Sequence, residues 1–517
     1  MYPDSYPGLT LALARAADRR GEAPALIDGE TVITWHAYRD RVARLAGALA
    51  GMGVQAGDRV AVLSPNTHRL LESLFAALWA GGVAVPLNHR LAAPELAAQA
   101  NDCTPVVLVV DPAFRSVAET LRARVPSLRH IIVADDNYER LLTDAAPIPD
   151  QGARGDDTAF IIYTGGTTGR AKGVMLTHAN LWANTANALA AVPLDGDSTH
   201  LHVAPLFHVA AIARAVSATV LGTTQVLLAK FDPAAVLAAI QQHRVVIVLL
   251  VPTMLRVVAD LPGFHDYDTA SLRMIAYGAS PIDETLLRRL IKLFPHVALF
   301  QAYGMTELSP TATQLGPEHH VFDGPNAGRL RSAGRAAMLA EVRVVDDADV
   351  EQPTGAVGEI VVRGPTVMKG YWNQPEVTAH TLRGGWMHTG DLGYLDADGF
   401  LFLVDRKNDM IISGGENVHT TEVENAVASH PAVADCAVIG IPDPRWGQVV
   451  HAVIVPRPGE TPDLAAIQAH CRALIAGYKI PRSLELRTAP LPLSGANKVL
   501  KSKLREEWAA RAVSPSR

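Results

Sequence analysis

The 517-residue sequence has little cysteine and no long apolar run. Its three cysteines, Cys103, Cys436 and Cys471, lie far apart and form no CxxC pair. This argues against a disulfide framework and against a zinc site built on cysteine, and it fits a reducing compartment. The longest clean apolar run, residues 245–251, is cut by Pro252 and is too short to span a bilayer. It predicts a buried strand.

An excess of positive charge is also missing. The chain has 46 lysines and arginines against 52 acidic residues, a net charge of −6. We therefore expect no broad basic face for nucleic acid. The first residues, MYPD, lack the basic and apolar regions of a signal peptide, so we expect a cytoplasmic protein without a transmembrane segment. Hydrophobic residues make up 49% and charged residues 19%, which is typical of a folded enzyme.

Helix and strand patterns alternate from residue 34 to about residue 300. Residues 34–52 predict an amphipathic helix and residues 59–63 a short apolar strand, and this alternation is typical of parallel sheets covered by helices. After about residue 325 the pattern changes to hairpins, with a turn at Asp396–Gly399. We predict an N-terminal domain over residues 1–405, with a β subdomain from about 325 to 405. An α+β domain follows over 406–517.

One loop carries the clearest chemical signal. Residues 163–174 read YTGGTTGRAKGV, directly after a predicted strand. Closely spaced glycines let the backbone turn and expose N–H groups, while threonine hydroxyls and Lys172 add donors and positive charge. Such a loop suits a polyphosphate. It is not a Walker A loop, because the GxxxxGK[ST] spacing is absent.

This loop resembles the signature loop of the adenylate-forming superfamily, which includes acyl-CoA synthetases, luciferases and adenylation domains of peptide synthetases. Further motifs follow in the family's order: YGAS at 277–280, QAYGMTE at 301–307, WMHTGD at 386–391, DR at 405–406, SGGEN at 413–417 and GANKVLK at 495–501. Three positions depart from the family's pattern: Gly165 replaces serine, Ala171 replaces proline and Asn497 replaces glycine. The resemblance covers nearly the whole chain.

The resemblance implies an α/β fold. A large N-terminal domain of two helix-covered sheets and a small β subdomain precedes a mobile α+β C-terminal domain. It also implies that a carboxylic acid attacks ATP to give an acyl-adenylate and pyrophosphate, after which coenzyme A takes the acyl group. ATP, Mg²⁺ and coenzyme A are then required. A homodimer is left open.

The resemblance also implies roles for individual residues. Glu307 would bind Mg²⁺, Thr306 the α-phosphate and Lys498 the bridging oxygens during catalysis. The remaining nucleotide-binding residues would be Thr164, Gly165, Gly166, Thr167, Thr168, Gly169, Lys172, Gly278, Ala279, Tyr303, Gly304, Asp391 and Arg406. The hinge would lie at Asn408. Coenzyme A would contact Gly414, Gly415, Tyr478 and Arg482.

The acid pocket is predicted from the segment APLFHVAAIA at 204–213. Amino-acid-activating relatives place an aspartate after this phenylalanine, whereas this chain has no acid there, so a buried substrate ammonium would go unpaired. We therefore predict that α-amino acids are rejected. The predicted pocket residues are His208, Val209, Ala210, Ala211, Val251, Thr253 and Tyr277.

Their small, mostly apolar side chains favour a medium- to long-chain fatty acid, with an aryl or arylpropenoic acid as the alternative. A carrier-protein thiol could replace coenzyme A as the acceptor. The lack of an insertion between residues 391 and 405 favours coenzyme A. A non-catalytic binding protein on the same fold is the remaining alternative, and the retention of Lys172, Glu307 and Lys498 argues against it.

Overall fold

A computed structural model describes residues 6–164, 171–192, 194–280, 282, 284–406, 409–413, 416–493 and 499–513. The chain forms two compact units. The first comprises Met1–Val342 and Val362–Met387, and the second comprises Arg343–Val361 and His388–Arg517. The predicted domain boundary at residue 405 stays a prediction.

The helices and strands alternate through the first unit. The helices described in the chain are α1 (Thr10–Arg20), α2 (Trp35–Gly51), α3 (His68–Trp79), α4 (Ala93–Cys103), α5 (Arg115–Arg124), α6 (Asp136–Asp144), α7 (His178–Ala191), α8 (Val209–Leu221), α9 (Pro233–His243), α10 (Pro252–Ala259), α11 (Glu284–Leu293), α12 (Pro375–Thr381), α13 (Thr420–Ala428), α14 (Leu464–Arg472) and α15 (Lys501–Val513).

The strands described in the chain are β1 (Pro24–Asp28), β2 (Thr31–Thr34), β3 (Arg59–Leu63), β4 (Val83–Pro86), β5 (Val107–Val110), β6 (His130–Val133), β7 (Thr158–Thr164), β8 (Lys172–Thr177), β9 (Thr199–His202), β10 (Thr224–Leu227), β11 (Ile247–Leu249), β12 (Met274–Gly278), β13 (Ala298–Tyr303), β14 (Thr313–Leu315), β15 (Arg335–Ala336), β16 (Glu341–Val345), β17 (Gly358–Arg363), β18 (Gly370–Tyr371), β19 (Met387–Leu395), β20 (Leu401–Arg406), β21 (Ile411–Ser413), β22 (Glu416–Val418), β23 (Val433–Asp443), β24 (Gly447–Pro456) and β25 (Ser483–Leu486).

The first unit contains two large sheets. One has the order β15-β14-β13-β12-β11-β9-β10-β1-β2, and its central strands run parallel. The other has the order β18-β8-β7-β4-β3-β5-β6, with β8 antiparallel to β7. The fold of helix-covered sheets predicted from the alternation is confirmed. Helices cover these sheets because parallel strands bury both of their faces.

Local signals explain several element boundaries. The hydroxyl of Thr34 accepts a hydrogen bond of 3.2 Å from the N–H of Ala37 and caps α2, as serine and threonine do at helix starts. The predicted helix and the strand at residues 59–63 are both present. The apolar run at 245–251 is a strand only over Ile247–Leu249, because Pro252 begins α10 and is suited to a first helical turn.

The second unit contains an antiparallel sheet of order β16-β17-β19-β20 and a further sheet built on β22-β21-β24-β23, with β25 beside β24. The predicted turn joins β19 to β20. The Asp396 carboxylate accepts 2.9 Å hydrogen bonds from the N–H groups of Asp398 and Phe400, and Gly399 has φ +78°. Such a turn needs a residue that tolerates positive φ. None of the helices in the described ranges combines the length and the hydropathy needed to cross a bilayer.

A buried ion cluster ties α2 to α3 and α6. The Glu72 side chain is fully buried, and its carboxylate receives hydrogen bonds of 2.6 and 3.0 Å from Arg41 and one of 2.7 Å from the Tyr138 hydroxyl. Arg41 also donates to Glu139 at 2.8 Å. A buried carboxylate is tolerated only while such partners are present.

Arg41→Met should therefore destabilise the protein strongly, since it leaves the Glu72 carboxylate buried without its counter-charge. We expect a loss of about 3–5 kcal/mol in the free energy of unfolding, measured by urea denaturation. Arg39→Met is the matched control. It removes an arginine from the same helix whose pair with Asp18 is exposed, so the loss should stay below about 1 kcal/mol. Equal losses in the two variants would contradict the role of the cluster.

Candidate active site

The predicted phosphate loop connects β7 to β8. Thr164 and Lys172 are register partners at the ends of these antiparallel strands, so the hairpin places the two residues side by side. The loop residues Gly165, Gly166, Thr167, Thr168 and Gly169 lie outside the described residues.

The predicted metal ligand Glu307 lies just beyond the carboxyl end of β13. It follows Thr306 in a short 3₁₀ helix, Thr306–Leu308. Its carboxylate accepts a 2.8 Å hydrogen bond from the Tyr371 hydroxyl, and its carbonyl accepts one of 2.8 Å from the N–H of Met368. The side chain of Glu307 is therefore positioned by its neighbours.

Tyr371 also contacts Lys172. The Lys172 ammonium lies 5.0 Å from the centre of the Tyr371 ring, a cation–π contact. Burial, and then the negative charge of Glu307, raise the pKa of the Tyr371 hydroxyl, so it stays protonated and donates. Lys172, Tyr371 and Glu307 thus form a row of cation, neutral donor and anion, which we name the phosphate row.

Sequence reasoning missed Tyr371. It belongs to β18, which pairs with β8 and places Tyr371 opposite Val174. In the sequence it is one aromatic residue between Gly370 and Trp372, a pattern that also fits an ordinary core tyrosine. Only the pairing of two strands almost 200 residues apart brings it beside Lys172.

The predicted adenine-side residues lie at the carboxyl edge of the nine-stranded sheet. Gly278 ends β12 and Tyr303 ends β13, and these strands are neighbours with Gly278 paired to Ala302. A Cβ on Gly278 would come within 2.2 Å of the Ala302 carbonyl oxygen, so no larger residue fits without a shift. Ligands bind at this edge of open α/β sheets.

Two backbone features mark the same edge. Gly304 has φ +157°, and a Cβ there would lie 2.0 Å from the Pro310 carbonyl oxygen. Ala279 has φ +67°, a left-handed conformation that costs an L-residue about 1–2 kcal/mol. Backbone strain of this kind clusters at ligand-binding turns, which agrees with the predicted role of Ala279.

The predicted acyl-pocket residues separate into two groups. His208 is the N-cap of α8, and Val209, Ala210 and Ala211 form its first turn. Tyr277 packs in a different core cluster, which Val251 also contacts, and the Tyr277 hydroxyl lies 2.8 Å from Nε2 of His320. Thr253 is exposed on α10. The structure thus brings together the four residues at the start of α8, whereas the Tyr277 side chain packs in a separate core cluster.

In the second unit, the two residues predicted to bind the ribose are register partners. Asp391 on β19 lies opposite Arg406 on β20, and Nε of Arg406 is 3.3 Å from the Asp391 carboxylate. The Thr389 hydroxyl accepts a 3.1 Å hydrogen bond from the N–H of Asp391. An ordered, nine-tenths buried carboxylate with an arginine beside it suits ribose hydroxyls, which need both acceptors and donors.

The lysines near the C-terminus have different environments. Lys501 donates to the Thr420 hydroxyl at 2.6 Å and pairs with Glu424 at 2.9 Å. Burial raises the pKa of Glu424, and Lys501 opposes this effect. Lys501 is therefore committed to the packing of its own unit, whereas Lys503 is exposed. Lys498 lies outside the described residues, as do the predicted hinge residue Asn408 and the predicted coenzyme A contacts Gly414 and Gly415.

The remaining predicted coenzyme A residues lie on the surface of the second unit. Tyr478 is 40% exposed. The guanidinium of Arg482 lies 4.6 Å from the centre of the Trp446 ring, and that of Arg445 lies 4.9 Å from it. Exposed guanidiniums on an aromatic ring can bind phosphate and stack on a base. Arg445 and Trp446 were not predicted as site residues, and the RWG segment at 445–447 is their only signal.

Glu307 suits Mg²⁺ as a single carboxylate ligand. Among the residues that the structure describes, no group of three or more histidines, cysteines or acids could hold a metal ion. Mg²⁺ in nucleotide sites usually takes one or two carboxylates together with phosphates and water. The carboxylate of Glu307, fixed by Tyr371, fits that requirement.

Comparison with known proteins gives matches over most of the chain. Residues 13–372 match the family described as AMP-binding enzyme, and residues 422–498 match the AMP-binding enzyme C-terminal domain. A feruloyl-CoA synthase of Amycolatopsis sp is 42% identical over 96% of this chain and 98% of its own length. An indoleacetate–CoA ligase of Aromatoleum aromaticum is 38% identical over 90% and 91%.

A long-chain-fatty-acid–CoA ligase of Mycobacterium tuberculosis is 35% identical over 90% of this chain and 91% of its own. Among solved structures, an o-succinylbenzoate coenzyme A synthetase from Bacillus subtilis, in complex with ATP and a magnesium ion, matches with a TM-score of 0.85. It is 32% identical over 95% of this chain and 98% of its own.

Tyr371→Phe tests the phosphate row. Removing the hydroxyl deletes the hydrogen bond to Glu307, and a hydrogen bond to a charged group contributes about 1.5–3 kcal/mol. We expect the rate of pyrophosphate release to fall about tenfold or more and the Mg²⁺ concentration for half-maximal rate to rise.

Tyr394→Phe makes the same chemical change in the second unit, on a ring that stacks on Phe402 and keeps that contact. Its kinetics should match the unmodified protein. A Tyr371→Phe enzyme with an unchanged rate and Mg²⁺ requirement would remove Tyr371 from the site.

Proposed function

Because the chain belongs to the AMP-binding enzyme family and is an AMP-forming acid–CoA ligase, we propose that its acid is an arylpropenoic acid. The observation that carries this proposal is the 42% identity to a feruloyl-CoA synthase, extending over 96% of the chain. The fatty-acid–CoA ligase is 35% identical over 90%. The order of the two substrate alternatives in the sequence analysis is therefore reversed.

Small side chains on one face of the nine-stranded sheet support a flat substrate. Ala276 and Gly278 on β12 and Ala302 on β13 share a face, because Gly278 pairs with Ala302 and side chains alternate along a strand. Met274 and Phe300 lie on the same face further from the edge and pack with Ala276, so the small side chains are confined to the carboxyl edge. A planar conjugated acid would lie against this edge with little loss of conformational entropy.

The first half-reaction requires positioning and charge neutralisation more than covalent help from the protein. A carboxylate oxygen of the acid bonds to the α-phosphorus of ATP, and the bond to the β-phosphate oxygen breaks, so pyrophosphate leaves. Lys172 and the loop threonines would hold the β- and γ-phosphates, and Thr306 the α-phosphate. When bound, Mg²⁺ neutralises phosphate charge, and Glu307 would be its protein ligand.

In the second half-reaction the thiol sulfur of coenzyme A bonds to the acyl carbonyl carbon. The carbon–oxygen bond to AMP breaks, and the thiol proton is lost to solvent. The exposed cations Arg482 and Arg445 would contact the phosphates of coenzyme A. The hinge at Asn408, the pantetheine contacts at Gly414 and Gly415, a homodimer and a cytoplasmic location stay predictions.

An acid panel tests the proposed substrate class. The enzyme is incubated with ATP and Mg²⁺, with and without coenzyme A, and with arylpropenoic acids, benzoates, fatty acids of 8–16 carbons and α-amino acids. Products are identified by mass spectrometry. We expect CoA thioesters of arylpropenoic acids with the highest kcat/KM, and none of α-amino acids. A preference for fatty acids would overturn the substrate class, and adenylates that never become thioesters would favour a carrier-protein acceptor.

Lys498→Ala separates the two half-reactions. The ammonium is expected to stabilise negative charge only while pyrophosphate leaves, and losing such a group lowers the rate about 10²–10³-fold. Thioester formation from a pre-made acyl-adenylate should be largely intact. Lys503→Ala, an exposed lysine five residues further along the chain, is the control and should affect neither step. Equal losses in both half-reactions would contradict the assignment of Lys498.

A further inference from the structure

Helix α8 carries one charged residue in an otherwise apolar and small sequence. Between Val209 and Thr219 only Ala210 and Arg214 keep accessible surface, while every other side chain there is buried. Ala210 and Arg214 are four residues apart, so they lie on the same face of the helix. Ala210 is one of the residues predicted to line the acyl pocket. The accessible stripe of α8 therefore runs from that pocket to Arg214.

Among the described residues, no carboxylate or other hydrogen-bonding group pairs with the guanidinium of Arg214. Burial lowers the pKa of Arg214 to about 10. The Arg214 side chain is thus desolvated and yet keeps some accessible surface. An unpaired cation in such surroundings is unfavourable unless a ligand pairs with it.

Two histidines of β9 lie near Arg214. His200 is 1% exposed, and neither of its ring nitrogens has a hydrogen-bond partner among the described residues. Burial, and after it the positive charge of Arg214, lower the pKa of His200 well below its ordinary value. Nε2 of His202 lies 3.1 Å from Oε1 of Gln225, so His202, unlike His200, has a hydrogen-bond partner. Both imidazoles are neutral at physiological pH, and His200 has donor and acceptor capacity left unused.

The strand registers connect these histidines to the reaction edge. His200 pairs with Ile247, which pairs with Met274, so all three share one face of the sheet. The same face continues four residues further along β12, from Met274 to Gly278, a distance of about 13 Å along the strand. Val192 at the end of α7 packs against this face. Gly278 lies at the edge where the adenylate is expected, and Ala276, Met274 and Ile247 lie on the same face between it and His200.

We propose that Arg214, together with His200, determines specificity by binding a hydrogen-bond-accepting oxygen on the far end of the acid, opposite its carboxyl group. This inference rests on the proposed function and names its substrate more closely: an arylpropenoic acid with an oxygen substituent on the ring. The oxygen is a phenol or ether oxygen, and the test below separates it from a second carboxylate, which shares the same chemistry. A bare ring would leave the buried cation unpaired, and sites built to bind a substrate oxygen reject analogues without it.

The test compares three arylpropenoic acids: cinnamic acid, 4-hydroxycinnamic acid and 4-carboxycinnamic acid. For the unmodified enzyme we expect kcat/KM for 4-hydroxycinnamic acid to exceed that for cinnamic acid by about 10²-fold or more. In Arg214→Met, which keeps the length of the side chain but removes its charge and donors, this ratio should fall to nearly one. The kcat/KM for cinnamic acid should be unchanged or higher. A preference for the 4-carboxy acid over the 4-hydroxy acid would identify a second carboxylate as the group that Arg214 binds.

Arg15→Met is the control, because it removes an exposed arginine from α1 and should leave all three values unchanged. A ratio that is the same in Arg214→Met as in the unmodified enzyme would overturn the inference. If Arg214→Met does not fold, the unmodified enzyme still decides, since cinnamic acid used as well as 4-hydroxycinnamic acid would also overturn it. Failure of the proposed function is distinct: the enzyme would use none of the three acids but would use dodecanoic acid. The ratio of 12-hydroxydodecanoic to dodecanoic acid then tests Arg214 by the same criterion.

Discussion

The central constraint on this protein is that parallel strands end at the same edge of their sheet. β12 and β13 are neighbours in register, and Gly278 lies so close to the Ala302 carbonyl oxygen that a Cβ there would be 2.2 Å away. This close approach sets the position of Tyr303 at the end of β13. It also sets the position of the 3₁₀ helix that follows and carries Glu307. The chain therefore needs no long-range charge attraction to gather its nucleotide-side residues, since backbone hydrogen bonding already places them together.

The phosphate row shows how opposite charges can be kept close and still available. A direct ion pair between Lys172 and Glu307 would satisfy each with the other and leave little for a phosphate or a metal ion. Tyr371 prevents this, because its ring contacts the ammonium at 5.0 Å and its hydroxyl donates to the carboxylate at 2.8 Å. The cation–π contact is weaker than a charge-assisted pair with a phosphate, and the Tyr371 hydroxyl occupies one oxygen of the carboxylate, so the other oxygen is left for a metal ion. The residues are thus positioned without being neutralised.

Local signals explain what the sequence predicts well. The Asp396–Gly399 turn and the start of α2 depend on neighbours within four residues, and the ordered motifs indicate the family. Tyr277 shows the limit: it was assigned to the acyl pocket, but its side chain lies on the opposite face of the sheet from its neighbour Ala276, because adjacent residues of a strand face opposite ways. The register of the paired strands determines which side chains face the pocket. This register depends on strands that are far apart in the sequence. The same limit hid Tyr371, whose partner strand is far away in the chain.

Arg214 sharpens the argument about the acid. Its burial works against folding, since a desolvated cation without a partner is less stable than an apolar residue of similar size. Every other side chain of α8 from Val209 to Thr219 is uncharged, so packing alone does not require an arginine there. The buried cation is unfavourable in the free protein and becomes favourable once an oxygen acceptor binds. Acids that carry this oxygen therefore bind more favourably than acids that lack it. On this argument, α8 distinguishes acids by the groups they carry far from the reacting carboxyl group, whereas the nucleotide-side residues at the sheet edge contact a nucleotide that is the same for every acid.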